Sequence, residues 1–257
     1  MSEMHDAAAN GNLEQAKALL KDDPKLVSGK DDNGLTPLHF AANKGQADMV
    51  KFLLSKTAEI NAKNNDGWTP LHEAAYEGCT GVVKLLLVNR AEVDVRNNDG
   101  FTPLHWAAEN GHRDIAELLL IHKAEVDARD NNGMTPLHKA ALKGRKDVAE
   151  LLIAPWRHGS WHAKFSLLRA RKAEINARDN NGWTPLAETA LGGHKDVAAL
   201  LLAHKAETDT RNNVGWTPLH EAANGGHKTV VEMLLSRRGC RRYQEQRWEN
   251  SITLCRS

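Results

Sequence analysis

Apolar residues along this chain recur in a pattern that predicts pairs of short amphipathic helices. Between residues 34 and 54, the residues that share one face of the first helix are Leu38, Ala41 and Ala42. The apolar stripe of the second helix consists of Met49, Val50, Leu53 and Leu54. Spacings of three and four residues bring side chains onto one face of a helix, so both stripes are expected to be buried.

Turn and cap residues mark where each helix begins and ends. Residues 31–34 read Asp-Asp-Asn-Gly, which are turn formers, and the glycine supplies the positive φ that such turns often need. Thr36 is expected to be the N-cap of the first helix. Pro37 is then its first residue, where a missing N–H costs nothing. Gly45 is expected to end this helix.

This unit recurs with a nearly constant period. The Gly-x-Thr-Pro-Leu core begins at Gly34, Gly67, Gly100, Gly133, Gly182 and Gly215. The intervals are 33 residues, except for one of 49 residues between Gly133 and Gly182. The sequence Thr-Pro-Leu-His-x-Ala at this period is the signature of ankyrin repeats, so the chain resembles the ankyrin repeat family from about Ser2 to Leu235. The resemblance implies an all-α solenoid of stacked helix-turn-helix units with short β-hairpin-like fingers, and a function in protein binding.

The departures from the period define the domain organisation. Residues 1–235 are interpreted as an ankyrin repeat domain, and residues 1–33 as its N-terminal capping repeat, because they lack the preceding turn and Thr-Pro. Residues 154–171 are either an irregular insertion or a truncated repeat. We favour the truncated repeat, which predicts a helix between about 162 and 170. Residues 236–257 form a basic C-terminal tail: a divergent cap, a disordered tail or the product of a shifted reading frame. Of these three interpretations of residues 236–257, we favour a tail with little ordered structure.

Positive charge is concentrated in the same two irregular segments. The net charge of the chain is +1, whereas residues 154–171 and residues 236–257 carry +4 each. Subtracting both segments leaves −7 on the rest of the array. The whole molecule is therefore not an electrostatic nucleic-acid binder. The tail, with Tyr243 and Trp248 among its arginines, supports only a weaker hypothesis of contact with phosphates and bases.

The sequence indicates a cytoplasmic protein. Its three cysteines, Cys79, Cys240 and Cys255, form no spaced set, which argues for a reducing compartment. No apolar run approaches the roughly 20 residues that span a membrane. The polar N-terminus lacks the apolar core of a signal peptide. We expect a monomer without a membrane partner.

The histidines do not predict a metal site. Five of them occupy the Thr-Pro-Leu-His position, namely His39, His72, His105, His138 and His220. The resemblance implies that they are structural and hydrogen-bond between finger and helix. They lie one repeat apart, so their side chains point in parallel rather than converge as metal ligands must. A second set is expected to support the starts of the second helices and consists of His112, His194 and His227. His158 and His162 could meet on a helix, but two ligands alone do not make a metal site.

No motif indicates catalysis. The chain has no hydrolase elbow, phosphate-binding loop, dinucleotide fingerprint after a strand, or paired-cysteine zinc spacing. An open ribbon of helix pairs rarely provides a pocket with converging groups. We therefore expect no catalytic residue, cofactor, metal or small-molecule substrate.

The variable positions indicate a binding surface instead. When Leu38, Ala41 and Ala42 point inward, positions 40, 43 and 44 point outward together, and the residues at these positions differ between repeats. A second variable row follows each turn glycine, although its aromatic residues could simply pack against their neighbours. The residues expected to contact a partner are Trp68, Glu73, Tyr76, Glu77, Phe101, Trp106, Glu109, Asn110, Met134, Lys139, Leu142, Lys143, Trp183 and Trp216.

Within this set, Trp68, Tyr76, Phe101 and Trp106 are expected to anchor a partner that carries apolar and basic groups, because tryptophan and tyrosine are common hot spots and acidic residues rim the cluster. The sequence thus predicts a non-catalytic scaffold that binds an unidentified protein through the concave face that the family uses. The alternatives are the targeting part of a larger enzyme or effector, and weak nucleic-acid contact through the tail.

Overall fold

The computed structural model describes residues 2–153 and 172–237, and every regular element in these residues is a helix. The first helices of successive units are α1 (Glu3–Asn10), α3 (Pro37–Asn43), α5 (Pro70–Glu77), α7 (Pro103–Asn110), α9 (Pro136–Leu142), α11 (Pro185–Gly192) and α13 (Pro218–Asn224). The second helices are α2 (Leu13–Asp22), α4 (Ala47–Ser55), α6 (Thr80–Val88), α8 (Arg113–Ile121), α10 (Lys146–Ile153), α12 (Lys195–Ala203) and α14 (228–237). A short 3-10 helix, Pro24–Ser28, follows α2.

The helices pack in two rows. Each first helix contacts the first helices of the neighbouring units from α1 to α13, and the second helices do the same from α2 to α12. The core between the rows consists of the predicted apolar stripes: Leu38 and Leu53, for example, are fully buried. Burying one such leucine contributes about 2 kcal/mol, and the alanines beside it let the helices approach closely. The prediction of an all-α solenoid is confirmed.

From α3 to α13, each first helix begins at the predicted Thr-Pro pair. Pro37 is the first helical residue of α3, and Thr36 precedes it in an extended conformation. The hydroxyl of Thr135 accepts from the backbone N–H of His138 at 3.5 Å, as expected of an N-cap. The histidine ring also reaches back, because the backbone N–H of Thr36 donates to Nδ1 of His39 at 3.1 Å.

The other ring nitrogen of each histidine links its repeat to the next. Since Nδ1 accepts a hydrogen bond from a backbone N–H, the neutral ring carries its hydrogen on Nε2 and donates a hydrogen bond from there to a finger carbonyl one repeat away. The bonds run from His39 to Trp68, from His72 to Phe101, from His105 to Met134 and from His138 to Trp183, at 3.0 to 3.1 Å. Burial lowers the pKa of His39, His72 and His105 to about 4. The structural role predicted for the Thr-Pro-Leu-His histidines is confirmed for these four, whereas the ring of His220 hydrogen-bonds only Thr217 among the described residues.

The fingers are joined by a ladder of backbone and asparagine hydrogen bonds. The backbone N–H of Asn98 donates to the carbonyl of Asp66 at 2.9 Å, and its side-chain amide donates to the carbonyl of Asn65 at 3.0 Å. Gly67, at φ 78°, permits this approach, because a Cβ there would lie 3.0 Å from the backbone nitrogen of Asn98. The fingers therefore resemble hairpins that pair with their neighbours.

A third link lies at the start of each second helix. His112 and His194 occupy the N-cap positions of α8 and α12, but their rings do not cap these helices. Nε2 of His112 bonds the carbonyl of Tyr76 at 3.0 Å, and Nε2 of His194 bonds the carbonyl of Leu142 at 2.9 Å. These side chains reach back to the first helix of the preceding repeat. They support the junction between repeats rather than the helix start that the sequence suggested.

The first unit reproduces these links without a finger of its own. Nε2 of His5, on α1, bonds the carbonyls of Gly29 and Leu35 at 3.1 Å each, and Ser2 takes the place of the usual threonine beside Nδ1. Residues 2–33 therefore present one face to the second repeat. We retain the interpretation of residues 1–33 as a capping repeat as a proposal.

The repeats on either side of residues 154–171 are stacked as directly as any other pair. The backbone N–H of Ala173 donates to the carbonyl of Leu152 at 2.9 Å, just as that of Ala124 donates to Leu119 at 3.0 Å. Helix α10 packs against α12 and α9 against α11. The predicted truncated repeat with its helix near 162–170, and the basic tail after residue 237, lie outside the described residues.

The joint before the last repeat is the exception to the histidine pattern. Ala187 stands where the other full repeats have histidine, so within the described residues no side chain donates to the carbonyl of Trp216. Thr189 stands where alanine is usual, and its hydroxyl donates a hydrogen bond of 2.8 Å to the carbonyl of Pro185 within its own helix. This joint has lost one buried hydrogen bond that its neighbours keep.

The histidine links make the free energy of unfolding depend on pH. Because the pKa of His39, His72 and His105 is about 4 in the fold against 6.5 for an ordinary histidine, the unfolded chain binds more protons in this window. Stability should fall from pH 6.5 to pH 4, by on the order of 3 kcal/mol for each of these histidines. Buried carboxyl groups act in the opposite sense and offset a part of this loss: burial raises the pKa of Glu188 to about 7 and also raises the pKa of Glu73, Asp127 and Glu221.

Urea unfolding followed by circular dichroism at several pH values measures this dependence. The variant His122→Gln is the control, because His122 is exposed and its ring bonds only its own helix, so the pH profile should not change. A free energy of unfolding that stays constant between pH 6.5 and 4 would contradict the assignment.

The direct stacking around residues 154–171 predicts that this segment can be shortened. Deleting residues 155–170 restores the interval between Gly133 and Gly182 to the usual 33 residues. Because closing a loop costs little per added residue, the thermal midpoint of the shortened protein should lie within about 5 °C of the parent. A calorimetric scan that shows a loss of more than about 10 °C would mean that the segment is a structural member of the stack.

Candidate partner-binding surface

The outward side of the first helices and the adjacent fingers form one continuous surface, which we call the first-helix face. Glu73 and Tyr76 lie on α5, Trp106 and Glu109 on α7, and Lys139 on α9. The first helices stack in one row, so the equivalent residues of neighbouring repeats lie side by side. The structure therefore brings the predicted contact residues together in order along this face.

Four aromatic side chains in the second and third full repeats are in mutual contact. The ring centroids of Trp68 and Trp106 are 4.8 Å apart, and those of Tyr76 and Trp106 are 5.3 Å apart in an edge arrangement. Phe101 stacks on Trp106 with centroids 4.5 Å apart. Trp68, Tyr76, Phe101 and Trp106 thus form a single group, the aromatic cluster, and Trp106 contacts all three others. Such aromatic pairs contribute about 1 kcal/mol beyond the area they bury.

The aromatic cluster is only partly covered. Tyr76 is 40% exposed, and Trp68, Phe101 and Trp106 are half-buried. Nε1 of Trp106 is itself buried yet has no hydrogen-bond partner among the described residues. A buried indole N–H normally has an acceptor. The cluster therefore combines exposed apolar area with one hydrogen-bond donor that nothing in the described fold uses.

The three acidic residues predicted to rim the aromatic cluster all have partners within the fold. The side-chain amide of Asn43 donates to Glu73 at 3.0 Å and to Glu77 at 3.1 Å, which holds the two carboxylates close together. Burial raises the pKa of Glu73, and the charge of Glu77 raises it further. Glu109 faces the amine of Lys143 at 3.5 Å. Sequence reasoning missed Asn43, although it stands at one of the outward positions.

Lys139 is the least available of the predicted contact residues. Its amine lies 3.0 Å from Oδ2 of Asp130 and 4.2 Å from the centre of the Phe101 ring. The lysine side chain is 8% exposed and the aspartate side chain is fully buried. Within the described residues, Lys139 therefore closes the end of the aromatic cluster and ties it to the finger at Asp130. The signal in the sequence is an aspartate nine residues before the lysine, a combination that the other repeats lack.

The remaining predicted residues lie along the same face but outside the aromatic cluster. The side-chain amide of Asn110 donates to the carbonyl of Tyr76 at 2.9 Å, so this residue links two repeats. Met134 is buried, and Leu142 is half-buried. Trp183 and Trp216 lie in the fingers of the last two described repeats, where they line a separate cleft. The fourteen predicted residues thus comprise the aromatic cluster, its rim with Lys143, the Lys139 bridge, a C-terminal pair of tryptophans and three residues outside these groups, namely Asn110, Met134 and Leu142.

The described histidines on this face do not form a cluster that could bind a metal ion. No group of three or more histidine, cysteine or acidic side chains in residues 2–153 and 172–237 has an arrangement that could hold a metal ion. In each Thr-Pro-Leu-His ring from His39 to His138, Nδ1 is instead hydrogen-bonded to a threonine and Nε2 to a finger carbonyl.

Comparison with known proteins agrees with this architecture. The family model of ankyrin repeats matches three overlapping stretches, residues 4–97, 74–162 and 157–244. The chain belongs to the ankyrin repeat family. Ankyrin repeats are generally modules of protein–protein interaction. Among the described residues, no ankyrin helix is long and apolar enough to cross a membrane.

Curated relatives share short segments of the ankyrin array. Delta-latroinsectotoxin-Lt1a of Latrodectus tredecimguttatus is 47% identical over 62 residues, which is 24% of this chain and 5% of the toxin. Human transient receptor potential cation channel subfamily A member 1 is 42% identical over 59 residues, or 23% of this chain and 5% of the channel. Mouse protein phosphatase 1 regulatory subunit 27 is 36% identical over 62 residues, or 24% of this chain and 40% of the subunit. The matched segments thus span less than half of these relatives.

The bridge between Asp130 and Lys139 gives a test of the ankyrin face that needs no partner. Asp130→Asn should cost about 3 kcal/mol of unfolding free energy, because it leaves a buried lysine without its counter-ion. The double substitution Asp130→Asn with Lys139→Met should recover most of this loss, since asparagine is the natural residue at the same position of the repeats with Asn64 and Asn97. Urea unfolding of the two single variants and the double variant measures the coupling. Additive losses would show that the ion pair does not govern this site.

Proposed function

We propose that this ankyrin protein is a non-catalytic scaffold that binds a partner protein through its first-helix face, the concave side of the array, with the aromatic cluster as the anchor. The partner presents an apolar group to Trp68, Tyr76 and Trp106 and basic groups to the acidic rim. The observation that carries the proposal is the contact group of four aromatic rings that remains partly exposed on this face.

The division between constant and variable positions supports this proposal. Inward positions are Leu, Ala and Ala in nearly every full repeat, and they are buried in the joint between repeats. The position equivalent to residue 40, predicted to point outward, is half-buried in the first three full repeats and buried in the last three. It carries Phe40, Glu73, Trp106, Lys139, Glu188 and Glu221. A surface that changes from repeat to repeat, on a backbone that does not, can match the different parts of one partner.

The unused donor of Trp106 adds a polar element to the anchor. Nε1 of Trp106 is already buried and unpaired in the free protein, and an unpaired buried N–H costs about 1–3 kcal/mol. A partner whose binding shifts this ring and places a carbonyl oxygen beside the nitrogen recovers the cost. Interface hot spots combine apolar area and a few such bonds in this way.

We further propose that the protein acts as a monomer in the cytoplasm, without a cofactor or small-molecule substrate. The three scattered cysteines support a reducing compartment. Of the described residues, three repeated histidines and Glu188 have the largest pKa shifts, burial is the first cause of each, and the histidine rings are already hydrogen-bonded to threonines and finger carbonyls.

A second candidate is that the array is the targeting part of a larger enzyme or effector. The observation that favours it is that the matched segments make up only 5% of the toxin and of the channel. An open reading frame that continues beyond Ser257 in the native gene would support this candidate. The hypothesis of nucleic-acid contact through residues 236–257 lies outside the described residues and stays a prediction.

Substitutions in the aromatic cluster test the main proposal. Tyr76→Ala and Trp106→Ala should each weaken binding of a partner isolated from the native host by roughly 30-fold, because each removes about 2 kcal/mol of anchor contact. Isothermal titration calorimetry with the purified partner measures the affinities, and circular dichroism verifies that the variants fold.

Val88→Ala is the matched control for these variants. Val88 is 68% exposed on the second-helix side, at the end of α6, and its truncation should leave the affinity unchanged. Equal affinities of the parent, Tyr76→Ala and Trp106→Ala proteins would reject the aromatic cluster as the anchor.

A further inference from the structure

The fingers of the last two described repeats border a cleft of about 300 Å³. Its walls include Trp183 and Trp216, with Val214 at the tip of the last finger and Glu221 on α13. Trp216 is 40% exposed and Val214 is 77% exposed, so the cleft is open to solvent. Its volume is at the lower end of the range for ligand pockets. A space of this size suits a single amino-acid side chain.

Glu221 is the charged residue among the described residues that line the cleft. The residue is only 3% exposed, and its Oε1 is buried without a hydrogen-bond partner among the described residues. No described lysine or arginine forms an ion pair with it. Burial raises the pKa of Glu221. An unpaired carboxylate at such a depth is costly, and the cost falls only when a donor or a cation arrives.

The surroundings of Glu221 are acidic. Glu188 on α11 is 6% exposed, and burial together with the charge of Asp179 raises its pKa to about 7, with a smaller effect of Glu221. The amine of Lys139, whose charge lowers the pKa of Glu188, is engaged by Asp130 and by the ring of Phe101. His220, next to Glu221 on α13, is exposed, and its Nδ1 bonds Thr217 at 2.8 Å. Among the described residues that line the cleft, Glu221 is therefore the one charged group, and Glu188, which is close enough for the charge of Glu221 to raise its pKa, lies behind it on α11.

We infer that this cleft binds the guanidinium group of an arginine side chain supplied by the partner protein, with Trp183 and Trp216 as the stacking walls and Glu221 as the counter-ion. The inference rests on the proposed function, since it assigns part of the partner's chemistry to the same face. The arginine site lies two repeats away from the nearest ring of the aromatic cluster.

Other occupants fit the cleft less well. An anion is repelled by Glu221, Glu188 and Asp179. A neutral apolar group buries Glu221 further without pairing it. A lysine amine satisfies the charge but offers no flat surface, whereas the planar guanidinium both stacks on indole rings and donates several hydrogen bonds in one plane. Arginine is thus the one protein side chain that uses both the rings and the carboxylate.

Binding of a cation is linked to proton release from Glu188. Near pH 7 this carboxyl is partly protonated, because burial and Asp179 disfavour its charge, while Lys139 favours it. A guanidinium beside Glu221 favours the ionised form of Glu188 as well. The affinity for arginine should therefore rise between pH 6 and pH 8, by up to about tenfold, and Glu188→Gln should flatten this dependence.

The test is a titration of the full chain with N-acetyl-arginine methylamide, followed through the indole N–H signals of Trp183 and Trp216 in ¹H–¹⁵N spectra. The matched probe is N-acetyl-citrulline methylamide, which has the same shape without the charge. We expect saturable shifts of both indole signals with the arginine probe and an affinity at least about tenfold higher than for the citrulline probe. Comparable binding of the two probes overturns the inference.

The carboxylate is tested with a pair of glutamine variants. Glu221→Gln should weaken the arginine probe by about tenfold. Glu232→Gln should not, because the Glu232 side chain is 63% exposed on α14. Unchanged affinity in Glu221→Gln also overturns the inference. Because the comparison of arginine with citrulline uses the unaltered protein, it decides the question even where a variant folds poorly.

The experiments can reject the arginine site and the proposed anchor independently of each other. Tyr76→Ala and Trp106→Ala should leave the affinity for the arginine probe unchanged, because neither residue lines the cleft. Arginine binding that persists when these variants bind the partner normally would reject only the anchor. Loss of partner binding in these variants, with no preference for arginine over citrulline, would reject only the arginine site.

Discussion

The described stack depends on one repeated hydrogen bond, from Nε2–H of a buried histidine to the carbonyl of the next finger. Short helices of seven to ten residues are marginal alone, so each repeat needs its neighbour. The bond from His39 to Trp68, repeated through His138, satisfies the finger and the ring together. Because the same ring accepts from the threonine before its helix, it also fixes the helix start. Where Ala187 replaces histidine, this bond is missing, and the open cleft lies beside that joint.

This arrangement separates the side chains that hold the ankyrin stack from those that are free to bind. The leucine, alanine and histidine positions are buried in every joint before the last one, and they leave the first-helix face free to vary. That face has two regions of different chemistry. Around Trp106 it is aromatic and partly exposed, whereas around Glu221 it is acidic with two tryptophans. The buried pair of Lys139 and Asp130 lies between the regions and limits how far either one extends.

Most of the fold could be predicted from the sequence, because residues that recur at the same spacing in every full repeat identify its helices and turns. The helices, their Thr-Pro starts and the role of the Thr-Pro-Leu-His histidines all follow from residues that recur at one spacing. Interactions made by a single repeat could not be found in that way. The ion pair of Lys139 with Asp130 and the unpaired oxygen of Glu221 depend on how neighbouring repeats approach. The hydrogen bond from His112 to Tyr76 was also not predicted. Histidine, arginine, glutamine and cysteine all occupy the position equivalent to residue 112, so the repeats show no common pattern there.

The state of the histidine rings tests the account most directly. Long-range ¹H–¹⁵N spectra of the imidazole rings identify which nitrogen carries the proton and the pH at which each ring takes up a second one. The account predicts that His39, His72 and His105 are neutral Nε2–H tautomers that titrate only near pH 4. Rings that exchange between tautomers, or that titrate near pH 6.5 in the folded protein, would contradict it.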